Sequence, residues 1–227
     1  REMTMKKSKL LTLGLLAGAG LLLSINQAQA ADTWVKNGAD WNLSQDGSLA
    51  KDKWVQNAGS WYHFDSTGKM QTGWLKDGNT WYSLADSGAM RTGWYKEGNT
   101  WYSLANSGAM RTGWYKEGST WYYLKDSGAM ATGWATPNGK WSYFEKSGAM
   151  VADRAVPASD GESYVIGKDG YLANRKDAGY NIHDIVKLGD GQEYLLNAKG
   201  DDVIIEKNAW YIRPEFKKFS NKYGDEV

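Results

Sequence analysis

Twelve of the thirteen tryptophans in this chain fall on two ladders with one period of twenty residues. The first ladder is Trp34, Trp54, Trp74, Trp94, Trp114 and Trp134; the second is Trp41, Trp61, Trp81, Trp101, Trp121 and Trp141. A tyrosine follows the second tryptophan at positions 62, 82, 102 and 122. That is more indole than packing demands, since Leu, Val or Ile would fill a small core with no ring N–H to satisfy. Aromatic faces converging on one spot make an electron-rich box. The cation that suits such a box is a quaternary ammonium, attracted by cation–π forces and unable to donate hydrogen bonds. The competing reading of the same ladders is a purely structural seam.

The elements that must hold the rings follow from the same period. Over 71–150, Thr-Gly-Trp recurs at 72–74, 92–94, 112–114 and 132–134, and Ser-Gly-Ala-Met closes each unit at 87–90, 107–110, 127–130 and 147–150. Self-similarity at about 20 residues indicates a repeat architecture. Within a unit, a short aromatic run such as Trp94-Tyr95-Lys96 meets a glycine turn and then the run Thr100 to Leu104, which reads as a β-hairpin. One hairpin is marginal in water, so neighbours must stack and bury each other's aromatic faces. The expected fold is all-β, a solenoid of stacked β-hairpins with degenerate capping hairpins at the C-terminal end. Earlier units cover 32–50 and 53–70. Beyond Val151 the pattern decays through 160–172, where Arg154 and Ser163 stand in for the two tryptophans, and through 190–200. One more hairpin is expected over 203–212. The domain reading is a repeat solenoid at 32–175 and a cap or partner-contact module at 176–227.

Residues 1–30 read as a signal peptide behind four extra residues: Lys6, Lys7 and Lys9, an apolar run over 10–25, and Ala28-Gln29-Ala30 before the expected cut. The run is too short for a membrane span of about 20 residues, so export without a lasting transmembrane anchor is expected. Beyond residue 30 the chain carries 23 Lys+Arg against 25 Asp+Glu, a balance that disfavours nucleic acid as a partner. Cysteine is absent, so no disulfide or thiol chemistry is available. The C-terminal tail shows no covalent sorting motif of the Leu-Pro-x-Thr-Gly kind, and retention at a surface would have to be non-covalent.

The phrase Thr-Gly-Trp-x4-Gly-x-Thr-Trp-Tyr-x-Leu-x2-Ser-Gly-Ala-Met closely resembles the choline-binding, or cell-wall-binding, repeat of surface proteins from streptococci and related Gram-positive bacteria. The resemblance is strong over 53–150 and weaker over 32–52 and 151–175. It implies a protein held on the wall by choline of teichoic and lipoteichoic acids, with boxes made of both tryptophans of one hairpin, the tyrosine of the next and a methionine wall. Carried onto this chain, the boxes are Trp54, Trp61 and Tyr82; Trp74, Trp81 and Tyr102; Trp94, Trp101 and Tyr122; and an outer Trp34, Trp41 and Tyr62. Trp134 and Trp141 would be closed by Tyr164. Trp114 and Trp121 meet Ser142 where a tyrosine is expected, and that box closes only if neighbouring Tyr143 substitutes. Met70, Met90, Met110 and Met130 are the candidate walls, with core filling as the equal alternative. Some relatives dimerise when ligand binds, which leaves the oligomeric state open here.

Catalytic groups are sparse. His63 lies inside a repeat, and His183 beside Asp184 is an isolated pair. No Gly-x-Ser-x-Gly elbow and no metal-ligand spacing accompanies them. Carboxylates at 184–206 could pair as in a glycosidase, but about fifty residues are too few for such a domain. The expectation is a binding protein, no enzyme, with choline as ligand and no cofactor. A host surface protein is a conceivable second partner through Lys217, Lys218 and Lys222. The alternative is a glucan-type carbohydrate-binding repeat.

Overall fold

The computed structural model describes residues 32–177 and 179–206. The expected signal peptide, the hairpin turn near Lys207 and the last tryptophan, Trp210, lie outside the described residues. The described chain is β-structure with one short 3-10 turn, Pro137–Gly139, and no helix in it is long and apolar enough to cross a membrane.

The repeats form consecutive antiparallel hairpins: β1 (Thr33–Asn37) with β2 (Asp40–Gln45) and a short β3 (Ser48–Leu49), β4 (Lys53–Asn57) with β5 (Ser60–Phe64), and β6 (Gly73–Asp77) with β7 (Thr80–Leu84). Then follow β8 (Gly93–Glu97) with β9 (Thr100–Leu104), β10 (Gly113–Glu117) with β11 (Thr120–Leu124), and β12 (Gly133–Ala135) with β13 (Ser142–Phe144). Register explains the ladders. In the β6–β7 hairpin Trp74 pairs with Ser83 and Lys76 with Trp81, so both indoles share one face; Leu75 pairs with Tyr82 and Gly73 with Leu84 on the other. The four hairpins from β4–β5 to β10–β11 therefore present two indoles on one side and a tyrosine on the other, whereas Asn42 and Ser142 hold the tyrosine position in the first and last.

Stacking is fixed by the closing phrase. The Met90 amide donates to the Trp61 carbonyl at 2.8 Å, and Met110 to Trp81, Met130 to Trp101 and Met150 to Trp121 repeat the bond. Each methionine thus docks on the hairpin before its own unit. One residue per unit fills the solenoid core: Phe64, Leu84, Leu104, Leu124 and Phe144 are all fully buried. Trp34, Trp41 and Trp134 pack against the buried clusters from half-buried positions without filling them.

A glycine is required where each methionine lies down. At Gly108, with φ +83°, an added Cβ would stand 2.2 Å from Met90 Sδ, whereas at Gly98, φ +57°, it would meet nothing within 4 Å. Both positions strain an L-residue by about 1–2 kcal/mol, but only the first adds overpacking of about 1–3 kcal/mol. Gly108→Ala should therefore lower the urea midpoint more than Gly98→Ala, and should also weaken ligand at the box beside Met90.

Past Val151 the architecture changes. Strands β14 (Arg154–Pro157), β15 (Ser163–Ile166), β16 (Ile185–Lys187), β17 (Glu193–Lys199) and β18 (Asp202–Ile205) form one antiparallel sheet in the order β14-β15-β18-β17-β16. Strands from both sides of residue 175 pair in this sheet, so the degenerate hairpins close on each other. Their core is aliphatic: Val165, Ala173, Leu188, Leu196 and Val203. The 203–205 segment pairs with β17; the other half of the hairpin expected over 203–212 lies outside the described residues.

A repeated Asp-Gly-x-x-Tyr turn replaces the lost indoles. Tyr164 Oη donates to Asp160 Oδ2 and Tyr194 Oη to Asp190 Oδ2, both at 2.6 Å. Lys199 Nζ also reaches Asp160 at 2.8 Å, and the Lys199 and Tyr164 bonds hold that carboxyl well below its usual range. The Asp190 hydrogen bond, aided by burial, pushes the Tyr194 phenol up to about 12. A raised phenol stabilises the fold fully below its unfolded value near 10, and that contribution is lost as pH climbs from there toward 12. Phenolate absorbance should show a late-ionising tyrosine that moves back toward 10 in Asp190→Asn.

Candidate aromatic ligand boxes

Stacking carries the indole face of one hairpin onto the tyrosine face of the next. Ring centroids stand 5.0 Å apart for Trp34–Tyr62, 4.8 Å for Trp54–Tyr82, 4.8 Å for Trp74–Tyr102 and 4.9 Å for Trp94–Tyr122. In the outer box Trp34 and Trp41 lie 6.4 Å apart at 84°, so two walls are perpendicular. The backbone amides of Met70, Met90, Met110 and Met130 donate to the carbonyls of Trp41, Trp61, Trp81 and Trp101 of the preceding hairpins. Met70 is the most buried of them and belongs to a core cluster with Leu43, Val55 and Phe64.

A second ladder holds the first tryptophans in place. Trp34 Nε1 donates to Asn57 at 3.2 Å, Trp54 Nε1 to Asp77 at 2.8 Å, Trp74 Nε1 to Glu97 at 2.9 Å and Trp94 Nε1 to Glu117 at 3.0 Å. These acceptors were not singled out from the sequence, although they recur with the same period just before each turn. Finding them needs the offset between stacked hairpins, which places each acceptor 23 residues after its indole. Besides orienting the ring, the three carboxylates put negative charge beside boxes suited to a cation. The next two slots are Pro137 and Pro157, which offer no acceptor, and the buried Trp134 Nε1 has no partner.

The last two boxes are built differently. Trp134 lies 6.3 Å from Trp141 and 6.1 Å from Tyr164, at 83° to both, which is wider than the earlier tyrosine contacts. Leu172, in the place of a methionine, donates its amide to the Trp141 carbonyl. At Trp114 and Trp121 the substitution by Tyr143, on which closure of that box was conditional, does not occur. Tyr143 pairs with Trp134 in its own hairpin and packs 5.2 Å from that ring, while Ser142 is fully buried with its hydroxyl unpartnered. Trp114 instead meets Trp121 at 6.1 Å and 88° and Tyr171 at 6.3 Å and 86°.

Exposure separates the two indole ladders. Trp61, Trp81, Trp101 and Trp121 keep 38–41% of their surface open, and Trp141 keeps 50%. Lys96 and Lys116, cross-strand from Trp101 and Trp121, hold their ammonium groups 5.9 and 5.4 Å from those ring centres. The rings are thus open and already attract cations. His63 packs 4.9 Å from Trp54 and hydrogen-bonds Gln71, a structural role. Among the described residues, no group of three or more His, Asp and Glu could hold a metal.

Residues 51–92 and 91–133 match the family model of the choline-binding repeat, and 132–150 match that of the putative cell wall binding repeat. No curated protein sequence matches the chain. Among solved structures, CbpJ from Streptococcus pneumoniae TIGR4 is 39% identical with a TM-score of 0.57, covering 66% of this chain and 55% of that one. Choline binding protein F from Streptococcus pneumoniae is 41% identical with a TM-score of 0.57, over 63% of this chain and 48% of that one. The same protein in the presence of a peptidoglycan analogue, a tetrasaccharide-pentapeptide, is 42% identical with a TM-score of 0.57, over 63% and 47%. The chain spans about half the length of these structures. Over residues 51–150, where these matches and the stacked hairpins coincide, the chain is built of choline-binding repeats.

Proposed function

We propose that this chain is exported and held non-covalently on a bacterial wall by choline of teichoic and lipoteichoic acids, bound in the aromatic boxes between successive hairpins. The observation that carries this reading is the open second ladder: four indoles at matched exposure, beside a core already filled by Leu84, Leu104 and Leu124. A structural seam would bury those rings. The boxes we assign are Trp34–Trp41–Tyr62, Trp54–Trp61–Tyr82, Trp74–Trp81–Tyr102, Trp94–Trp101–Tyr122 and Trp134–Trp141–Tyr164, walled by Met70, Met90, Met110, Met130 and Leu172. We read no catalytic role; the five-stranded sheet closes the array and offers a surface for a second partner.

Each cation–π contact contributes about 0.5–1 kcal/mol when exposed and about 2 kcal/mol when desolvated. Three walls, less ordering costs, give a site near the roughly −4 kcal/mol of millimolar affinity. Several on one polymer gain about 10²–10⁴ in avidity. The test is retention of 31–227 on a quaternary-amine resin. Free choline at tens of millimolar should release it and equivalent sodium chloride should not. Release by glucan but not choline would favour the sugar-binding alternative and overturn this reading.

A further inference from the structure

We infer that Trp114, Trp121, Met150 and Tyr171 form a further cation box, rebuilt from a more distant unit, and that Asp169 fits it to amines that still carry an N–H. The inference rests on the box reading proposed above and names a different ligand class for one site.

The rebuilding follows from the superhelical packing. Every methionine wall lies on the glycine of the next closing phrase: Met130 on Gly148, and Met150 on Gly170. The residue after that glycine therefore stands beside the box whose wall the methionine forms. In the regular units this residue is Ala89, Ala109, Ala129 or Ala149; after Gly170 it is Tyr171. The ring lost at Ser142 is thus restored at Tyr171. The three rings, with Met150 and Asp169, line a cavity of about 340 Å³, at the small end of the roughly 300–1,000 Å³ of ligand pockets. Trp114 stands at 88° to Trp121 and 86° to Tyr171, giving perpendicular walls. The Lys140 ammonium stands 5.1 Å from the Tyr171 centroid, so this ring already holds a cation.

Asp169 makes the difference in chemistry. The corresponding residue in the regular closing phrases is a serine. Its Oδ1 accepts the Tyr171 amide hydrogen at 3.1 Å, which fixes the carboxylate beside the ring. Among the described residues no hydrogen bond engages Oδ2. In the regular boxes Asp77, Glu97 and Glu117 are instead engaged by indole N–H groups. A quaternary ammonium has no proton to give to Asp169. A protonated secondary or tertiary amine donates a charge-assisted hydrogen bond to it.

The experiment is a titration of the full chain with choline and, separately, with N,N-dimethylethanolamine, reading each indole N–H in a ¹⁵N-tryptophan spectrum assigned by single Trp→Phe variants. The Trp114 and Trp121 signals should respond to both, with the tertiary amine favoured about tenfold relative to its ranking at Trp94 and Trp101. Tyr171→Ala should abolish the response at Trp114 and Trp121 alone, and Tyr171→Phe should keep it. Asp169→Asn should remove the tenfold preference and leave a choline response. Unchanged Trp114 and Trp121 titrations in Tyr171→Ala, with the other boxes still filling, would overturn the rebuilt box. An unaltered preference in Asp169→Asn would overturn the ligand class. A chain in which no indole answers choline would instead sink the proposed function itself.

Discussion

A chain carrying Trp61→Ala, Trp81→Ala and Trp101→Ala together should lose retention on a choline-displaying surface while remaining folded. These three indoles keep 41%, 41% and 38% of their surface exposed, so truncation removes little packing. Each removes one wall from a separate box whose other walls, Trp54 with Tyr82, Trp74 with Tyr102 and Trp94 with Tyr122, stay in contact. A desolvated cation–π contact is about 2 kcal/mol, enough to take a millimolar site out of the useful range. With three boxes lost, the avidity gain of about 10²–10⁴ largely disappears. The check is the choline concentration that elutes each form, together with its urea midpoint. Retention like that of the parent chain would show the exposed ladder is not the binding surface, and a collapsed midpoint would show it is structural after all.

The opposite signature is expected for Leu104→Ala. Leu104 is fully buried, pairs with Gly93 across its hairpin, and bridges to Met110 at the closing phrase. Its carbonyl also accepts from Arg111 Nη1 at 2.6 Å, and that guanidinium stacks 4.4 Å over Tyr115 of the following hairpin. Removing a buried leucine side chain costs about 2–5 kcal/mol, depending on how far the cavity collapses. In an array where each unit leans on its neighbours, the loss falls on the interfaces at both sides. Urea unfolding followed by tryptophan emission should show a lowered midpoint, or two transitions where the parent has one. A shift below 1 kcal/mol would mean that the buried row is not what couples the hairpins.

Much of this arrangement is legible from residue order. A period of twenty with paired tryptophans implies hairpins, and alternation within Thr80 to Leu84 implies which residues share a face. The grouping of Trp74 and Trp81 with Tyr102, by contrast, was implied by the resemblance to the family's repeat, and stacking brings Trp74 within 4.8 Å of Tyr102. Less legible was the acceptor ladder of Asn57, Asp77, Glu97 and Glu117: its residues recur visibly, but their partners are set by the stacking offset. Tyr143 illustrates the limit of adjacency. It neighbours the expected position, yet one step along a strand turns a side chain to the other face, and it packs on Trp134. The closing of 154–206 into one sheet was also beyond a repeat reading. Once the indoles are gone, Val, Leu and Ile residues pair wherever burial is best, and the local period no longer dictates the partner strand.

Composition and period alone thus determined the hairpin, its two faces, the solenoid and the chemistry of a ring-lined box, because each is a property of one unit or of adjacent identical units. Tertiary structure decided which methionine docks on which hairpin, which carboxylate steadies which indole, and that Tyr171 and Asp169 come to Trp114 and Trp121. Those relations span one or two units of the superhelix. They depend on how far each hairpin is carried past the last, a displacement set by the packing of Met150 on Gly170 and its counterparts.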